Sequence, residues 1–312
     1  MPFDLSRSLV IGISSRALFD LSAENDIFER EGLAAYCAYQ RAHEDVVLSP
    51  GTGFPLARAI LGLNTLTTDR RVAEVVIMSR NNADTSLRIF KSIEHYELDI
   101  TRAALTSGES LAPYLNAFNV DLFLSASEHD VQLAVDAGVA AGLIYAPPSG
   151  TGSTPEQIRI AFDGDAVLFS EDSELIYQNQ GLDSFHEHER DRAHDPLPAG
   201  PFAKLLKTIS FLQQEFPGER SPIRTALVTA RSSPAHERVI RTLREWDVRV
   251  DEAFFLGGVS KDAVLAAFGP QIFFDDQDAH CARTGGVVPT ARVPIRRPAG
   301  EHAAAPDAPR DR

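Results

Sequence analysis

"IRIAFDGDAVLFSEDSE" (Ile158–Glu174) is a short apolar run that opens directly into Asp163-Gly164-Asp165. A few β-branched and aromatic residues ahead of a polar turn read as a buried strand. Two carboxylates two positions apart at a strand end repel each other and lose hydration. A divalent cation relieves both effects, and Mg²⁺ prefers such hard oxygen ligands. Gly164 lets the backbone turn sharply and approach a phosphate closely. A D-x-D on its own is as well explained by a solvated turn, so neighbouring strand ends decide the reading.

Working outward, Leu9–Ile13, Val75–Met78, Leu122–Leu124, Thr225–Val228 and Ile272–Phe274 read as further buried strands. Helical patterns such as Pro234–Glu245 and Lys261–Phe268 lie between them. Strand–helix alternation predicts an α/β fold with mainly parallel sheets, in which ligands collect at the carboxyl ends of strands. Thr229 closes one strand with a hydroxyl for a phosphoryl oxygen, followed by Ala230, Arg231 and the apparent helix start Ser232-Ser233-Pro234. Backbone N–H groups at a helix start suit an anion. Lys261 opens a helix as a point charge for phosphate. Asp275-Asp276 ends another strand and supplies more carboxylate for a metal.

The bulk composition fits this picture. The chain has 312 residues, 44% hydrophobic and 24% charged, which predicts a globular protein of about two domains. A formal net charge of −14 argues against a general nucleic-acid binder, which needs a basic footprint. A small phosphorylated substrate remains compatible, because a cation and a few donors reverse the field locally. Cys37 and Cys281 are the two cysteines, too few for a disulfide framework, and a reducing cytoplasm is the expected setting. Met1–Arg7 has no signal-peptide pattern, and no apolar run is long enough to span a membrane. From Pro294 onward the chain is rich in Pro, Ala and charge, so 294–312 is expected to be a disordered tail.

The sequence also resembles itself. Ser14–Leu33 lies over Asp163–Leu182 at an offset of 149, and "LFLSA" (Leu122–Ala126) over "IFFDD" (Ile272–Asp276) at 150. "VVIMSRNN" lies over "ALVTARSS" at 151, setting Arg80 on Arg231. Similar strand ends in one order at nearly one offset predict a duplicated unit of about 150 residues. The first copy, 1–150, is expected to be degenerate: Ser14-Ser15-Arg16 stands over Asp163-Gly164-Asp165, Ser125-Ala126 over Asp275-Asp276, and Leu111 over Lys261. Its strand ends keep Ser14, Arg16, Ser79, Arg80, Asn81 and Asn82, donors that suit an anion or a nucleobase. This half is expected to complete the substrate pocket, to bind a regulatory nucleotide, or to buttress the other half or an interface between copies.

The order D-x-D, Thr, Lys, D-D at successive strand ends resembles the haloacid dehalogenase superfamily of phosphotransferases. "GISSRALFDL" (Gly12–Leu21), "SPGTGFPLARAI" (Ser49–Ile60), "VVIMSRNNADTSLRIFKSIEHYEL" (Val75–Leu98), "IAFDGDAVLFSEDSE", "LVTARSS" and "IFFDDQ" together resemble the cytosolic 5'-nucleotidase type I family. The resemblance implies a doubly wound parallel-sheet core over 151–293, with a small cap inserted at about 170–224. It implies Mg²⁺-dependent hydrolysis of nucleoside 5'-monophosphates, AMP prominently. Asp163 would then be the nucleophile and Asp165 the acid and base. Mg²⁺ would sit between Asp163, the backbone carbonyl of Asp165, and either Asp275 or Asp276. Thr229, Ala230, Arg231 and Lys261 would hold the substrate. The adjacent acids Asp275-Asp276 depart from the commoner spaced pair of the superfamily and leave the choice of ligand open. Another phosphatase of the superfamily, a nucleoside phosphotransferase and a nucleotide sensor are the competing readings.

Two further features invite chemistry. His186-Glu187-His188-Glu189 reads as a solvated helix face rather than a metal site, because zinc ligands come with other spaced ligands. Phe185 is a candidate for stacking on a base.

Overall fold

Ten strands form one sheet in a computed structural model that describes residues 5–145, 157–216 and 221–297. The first five are β1 (Leu9–Ile13), β2 (Ala73–Ser79), β3 (Arg102–Leu105), β4 (Leu122–Ser125) and β5 (Ala140–Ile144). The second five are β6 (Ile158–Phe162), β7 (Ile223–Thr229), β8 (Glu252–Phe255), β9 (Ile272–Asp275) and β10 (Thr290–Arg292). Their order is β3-β2-β1-β4-β5-β10-β9-β6-β7-β8. Every neighbouring pair is parallel except β5 and β10, which run antiparallel with Ala291 opposite Ile144. The strand ends of the two halves therefore open on opposite edges of the sheet.

Helices cover both faces. On one face α3 (Phe54–Gly62), α4 (Leu87–His95), α8 (Ala203–Glu215) and α9 (His236–Glu245) share a core with alternate strand residues such as Ile11, Ile13, Ile160 and Phe162. On the other, α5 (Ala112–Ala117) and α6 (Glu128–Asp136) pack on Val10 and Phe123, while α10 (Asp262–Phe268) packs on Ala161 and Phe273. The alternation follows from strand geometry, in which successive side chains point to opposite faces. The remaining α-helices among the described residues are the turn α1 (Ser15–Leu18), α2 (Ser22–Ala42), α7 (Asp172–Asp191) and α11 (Asp278–Thr284). Among the described residues no helix is long and apolar enough to cross a membrane.

The strand order of the first half recurs in the second, and the details recur with it. Both α2 and α7 are broken by a glycine in the left-handed region, Gly32 at φ 82° and Gly181 at φ 83°. Leu48 N–H donates to Ser92 Oγ as Leu197 N–H donates to Thr242 Oγ. Arg88 Nε donates to the Val46 carbonyl at 2.7 Å as Arg238 Nε donates to that of Asp195 at 2.8 Å. At β2 and β7 the matching offset is 150 rather than 151. Ser79 Oγ accepts from Asn81 N–H just as Thr229 Oγ accepts from Arg231 N–H. Asn81, not Arg80, is thus the counterpart of Arg231.

The segment 170–224, expected as a cap, divides into two parts. In α8, Leu205, Leu206, Ile209 and Leu212 belong to the main core, so this helix is a crossover of the sheet. In α7 the buried residues are Ser173, Phe185 and Glu189, and it reaches the carboxyl ends of the strands through Glu189. Of the expected tail, Pro294–Arg297 runs along α6, where Gln132 Nε2 donates to the Ile295 carbonyl and Arg297 N–H to Asp136. Residues 298–312 lie outside the described residues.

Three phenylalanines tie the second half together. Phe274 of β9 lies 5.7 Å from Phe162 of β6 and 4.6 Å from Phe202, ring centre to ring centre. Each such ring contributes about 1.5–3 kcal/mol by burial. Together they fix the strand ends that carry Asp163 and Asp275. The turn after β6 is packed as tightly. A Cβ on Gly200 would stand 2.4 Å from the Phe169 carbonyl oxygen and 2.5 Å from that of Val167. Gly200→Ala is therefore expected to cost about 1–3 kcal/mol in urea unfolding, the usual range for overpacking. Gly62→Ala, where a Cβ meets nothing within 4 Å, should not destabilise. Equal midpoints for the two variants would contradict this account of the turn.

Candidate active site

In each half the strand order reverses between the first strand and the fourth, β1 and β4 or β6 and β9. Such a switch point leaves a crevice outside the carboxyl ends of the strands. At the β6/β9 switch, Asp163 follows one strand and Asp275 ends the other. Asp163 accepts from the Gly164 N–H at 2.7 Å, and its own N–H donates to the Phe274 carbonyl. Lys261, at the head of α10, bridges the two acids: its Nζ lies 2.9 Å from Asp163 Oδ2 and 2.6 Å from Asp275 Oδ2. Thr229 closes β7 next to this group. A Cβ on Gly164 would come within 3.1 Å of Thr229 Oγ, so glycine lets the D-x-D loop and the threonine approach. The structure thus brings together Asp163, Thr229, Lys261 and Asp275.

Burial and mutual repulsion shape the charges. Burial pushes the Asp163 carboxyl up to about 6, with Lys261 working against that rise. Burial opposes ionisation of Lys261 and Asp275 as well. The acids outweigh it at Lys261, whose value is raised, and His280 and Lys261 outweigh it at Asp275, whose value is lowered. Asp276 is pushed up to about 8 by burial and by the charges on Asp163 and Asp275. Three acids with one lysine among them leave a local deficit of positive charge.

A cation fits this cluster. Asp163, Asp275 and His280 each offer a ligand atom within 4.8 Å of the others. His280 Nδ1 lies 3.3 Å from Asp275 Oδ2, a neighbour sequence reading did not single out although "DDQDAH" contains it. Of the adjacent acids it is Asp275 that joins this group.

Asp165 and Arg231 occur together, though not as two independent groups lining an open pocket. Arg231 is buried and donates to both oxygens of Asp165 and to Glu189 of α7. Glu189, expected on a solvated face, is fully buried. Burial works against its ionisation, but Arg231, Ser173 and Arg238 hold its carboxyl below the ordinary value. Phe185 packs against Arg231 rather than standing free for a base. Ala230 is exposed beside Thr229.

The first-half residues do not join this site. Ser14, Arg16, Ser79, Arg80, Asn81 and Asn82 line a separate cavity of about 590 Å³ at the carboxyl ends of β1 and β2. Five strand spacings separate β1 from β6, ~24 Å across the sheet, and the two sites open on opposite edges. Within that cavity Arg80 Nε pairs with Asp130 at 3.0 Å, and Asn82 Oδ1 caps the next turn by accepting from Thr85 N–H at 2.8 Å.

Removing the lysine should expose the repulsion that it offsets. Lys261→Met leaves two buried carboxylates without their shared cation, and unfolding in metal-free buffer should show a loss of about 3–5 kcal/mol. An unchanged denaturation midpoint would show that these charges are not coupled to the fold.

A family model described as 5'-nucleotidase matches residues 1–299. Human "Cytosolic 5'-nucleotidase 1B" is 37% identical over 283 residues, covering 88% of this chain and 46% of that protein. The chain therefore spans about half the length of that curated relative. Among solved structures, a histidinol dehydrogenase from Elizabethkingia anophelis aligns over 90% of this chain and 79% of that one. Its TM-score of 0.23 and identity of 8% carry no argument about fold or function. On the match across 1–299, with the carboxylates and lysine gathered at the β6/β9 switch point, the chain belongs to the 5'-nucleotidase family.

Proposed function

We propose that the protein hydrolyses nucleoside 5'-monophosphates, AMP foremost, to nucleoside and phosphate, using Mg²⁺ and a covalent aspartyl-phosphate at Asp163. The convergence of Asp163, Thr229, Lys261 and Asp275 on one switch point carries the reading. Family membership supports the reaction class, and the name of the human relative supports the substrate class and a cytoplasmic setting. The two free cysteines suit that setting. We read the halves as copies of one haloacid-dehalogenase-like unit. The first copy has serine, arginine and leucine where the second has carboxylates and lysine, so it is assigned no chemistry.

In the first step a carboxylate oxygen of Asp163 attacks phosphorus, the bond from phosphorus to the 5'-oxygen breaks, and Asp165 donates a proton to that oxygen. In the second step water attacks phosphorus, Asp165 takes its proton, and the bond to Asp163 breaks. Thr229 Oγ and Lys261 Nζ hold phosphoryl oxygens and stabilise their charge in a site shielded from water. Asp163, Asp275 and the backbone carbonyl of Asp165 are the residues that would hold Mg²⁺. The ion supplies positive charge that offsets repulsion between an anionic nucleophile and an anionic substrate.

Asp163→Asn is expected to remain folded and to lose phosphate release from AMP by at least about 10³-fold, because an amide is a poor nucleophile. Substantial turnover by the folded variant would remove the covalent mechanism. Chelation should stop turnover, and added Mg²⁺ should restore it. Mg²⁺ should also raise the melting temperature of the wild-type protein but not of a variant lacking both Asp163 and Asp275. Full activity after metal stripping would sink the cation's role. In the same assay AMP should outrun hexose phosphates, and a clear preference for a hexose phosphate would move the substrate class to sugars.

A further inference from the structure

Asp165 is not free in its loop. Arg231 occupies both of its oxygens, Nε to Oδ2 at 2.8 Å and Nη2 to Oδ1 at 2.6 Å. The third corner of the guanidinium, Nη1, donates to Glu189 Oε2 at 2.5 Å, and the ring of Phe185 lies 5.4 Å from Arg231 Cζ. Glu189 Oε1 accepts in turn from Arg238 Nη1 at 2.9 Å and from Ser173 Oγ at 2.8 Å. A buried relay therefore runs from α9 through α7 to the D-x-D loop.

The internal repeat acts as a control on this relay. At offsets of 149 and 150, Arg88 stands for Arg238, Gln40 for Glu189, Glu24 for Ser173 and Tyr36 for Phe185. Asn81 stands for Arg231 and Arg16 for Asp165. Arg88 keeps the same backbone bond and a carboxylate partner, but the partner is Glu24 at 2.6 Å, from the position that Ser173 holds. Gln40 Oε1 is 3.5 Å from the same nitrogen. Closing the helix pair thus needs an arginine and one carboxylate, and either of two positions can supply it. The second half uses the position that also reaches Arg231. The half without strand-end carboxylates has lost Asp165, Arg231 and Glu189 together while keeping the structural arginine.

We propose that Arg231 is a positioning residue for Asp165, and that Glu189 braces Arg231 in that role. The proposal rests on the hydrolase reading above. A guanidinium fork fixes the plane of a carboxylate at two points. A fork anchored only by that carboxylate swivels with it, whereas a second buried carboxylate on another element holds it still. Proton transfer to a leaving oxygen depends on such placement.

The test exchanges the two arrangements. Glu189→Gln keeps the shape and removes the charge, so kcat on AMP with Mg²⁺ should fall about 10- to 100-fold while KM changes less than about threefold. Its melting temperature should fall too, since Arg238 loses its partner. Ser173→Glu combined with Glu189→Gln reproduces the first-half arrangement. The melting temperature should then recover and kcat should not. Arg231→Lys, which keeps the charge and loses the fork, should show the same kcat loss with little change in KM. Recovery of kcat together with the melting temperature would make Glu189 purely structural and overturn the proposal. Near-wild-type kcat in Arg231→Lys would overturn it as well, and that variant decides if the double variant does not regain stability. A wild-type protein inactive on every monophosphate would overturn the functional reading and this inference together. An active wild type with unaffected variants would overturn the inference alone.

Discussion

The ion cluster of Lys261 with Asp163 and Asp275 is the constraint on which the second half depends. Two acids from different strands are buried within reach of one ammonium. Such an arrangement is tolerable only if the strands stay in register and the lysine stays at the head of its helix, because an unpaired buried charge is strongly destabilising. The packed rings of Phe162, Phe202 and Phe274, the first and last of them stacked, supply that rigidity next to the strand ends. The same geometry that makes the cluster costly for the fold makes it suited to chemistry. Asp163, Lys261 and Asp275, the proposed nucleophile, phosphate-neutralising cation and metal-binding acid, are assembled before any substrate arrives.

The antiparallel junction of β5 and β10 gives one chain two strand-end sites that open apart. Because β5 and β10 pair antiparallel, the two crevices open on opposite edges of the sheet, and the described residues that line the first cavity all come from the first half. The second crevice keeps carboxylates and lysine. The first has hydroxyls, amides and arginines around its own cavity, with Arg80 already paired to Asp130. Serines stand at the positions that match Asp163 and Asp275, and the buried acids that line this cavity, Glu24 and Asp130, are each paired with an arginine, so no cluster like that of the second half forms there.

Much of this was legible in the sequence, for definite reasons. Ile158–Phe162 and Leu9–Ile13 are strands with the expected bounds, because both are short, largely apolar runs closed by polar turns, Leu9–Ile13 buried throughout and Ile158–Phe162 at every position but Arg159. The edge strands β3 and β8, only half-buried, were missed because their residues alternate too weakly to stand out from loops. Asp163, Thr229, Lys261 and Asp275 could be singled out because each sits where a parallel sheet presents its ligands. Glu189 could not, since "HEHER" has the pattern of a solvated helix face. Its burial arises from two arginines contributed by β7's loop and by α9, a long-range pairing that local pattern does not encode. That Ser14, Arg16 and Ser79–Asn82 line a cavity of their own, apart from Asp163, was not legible for a similar reason: the direction in which two halves join is set by β5 and β10, neither of which carries a functional motif.

The central claim is that Asp163 carries the phosphoryl group between two chemical steps. Wild-type protein mixed with AMP and Mg²⁺, quenched in acid within one turnover and reduced with borohydride, converts an acyl phosphate on aspartate to homoserine, which peptide mass spectrometry locates. The account predicts this conversion at Asp163 and at no other acid, absent when AMP is omitted. Conversion at Asp165, Asp275 or Asp276 instead, or none during measurable turnover, would contradict it.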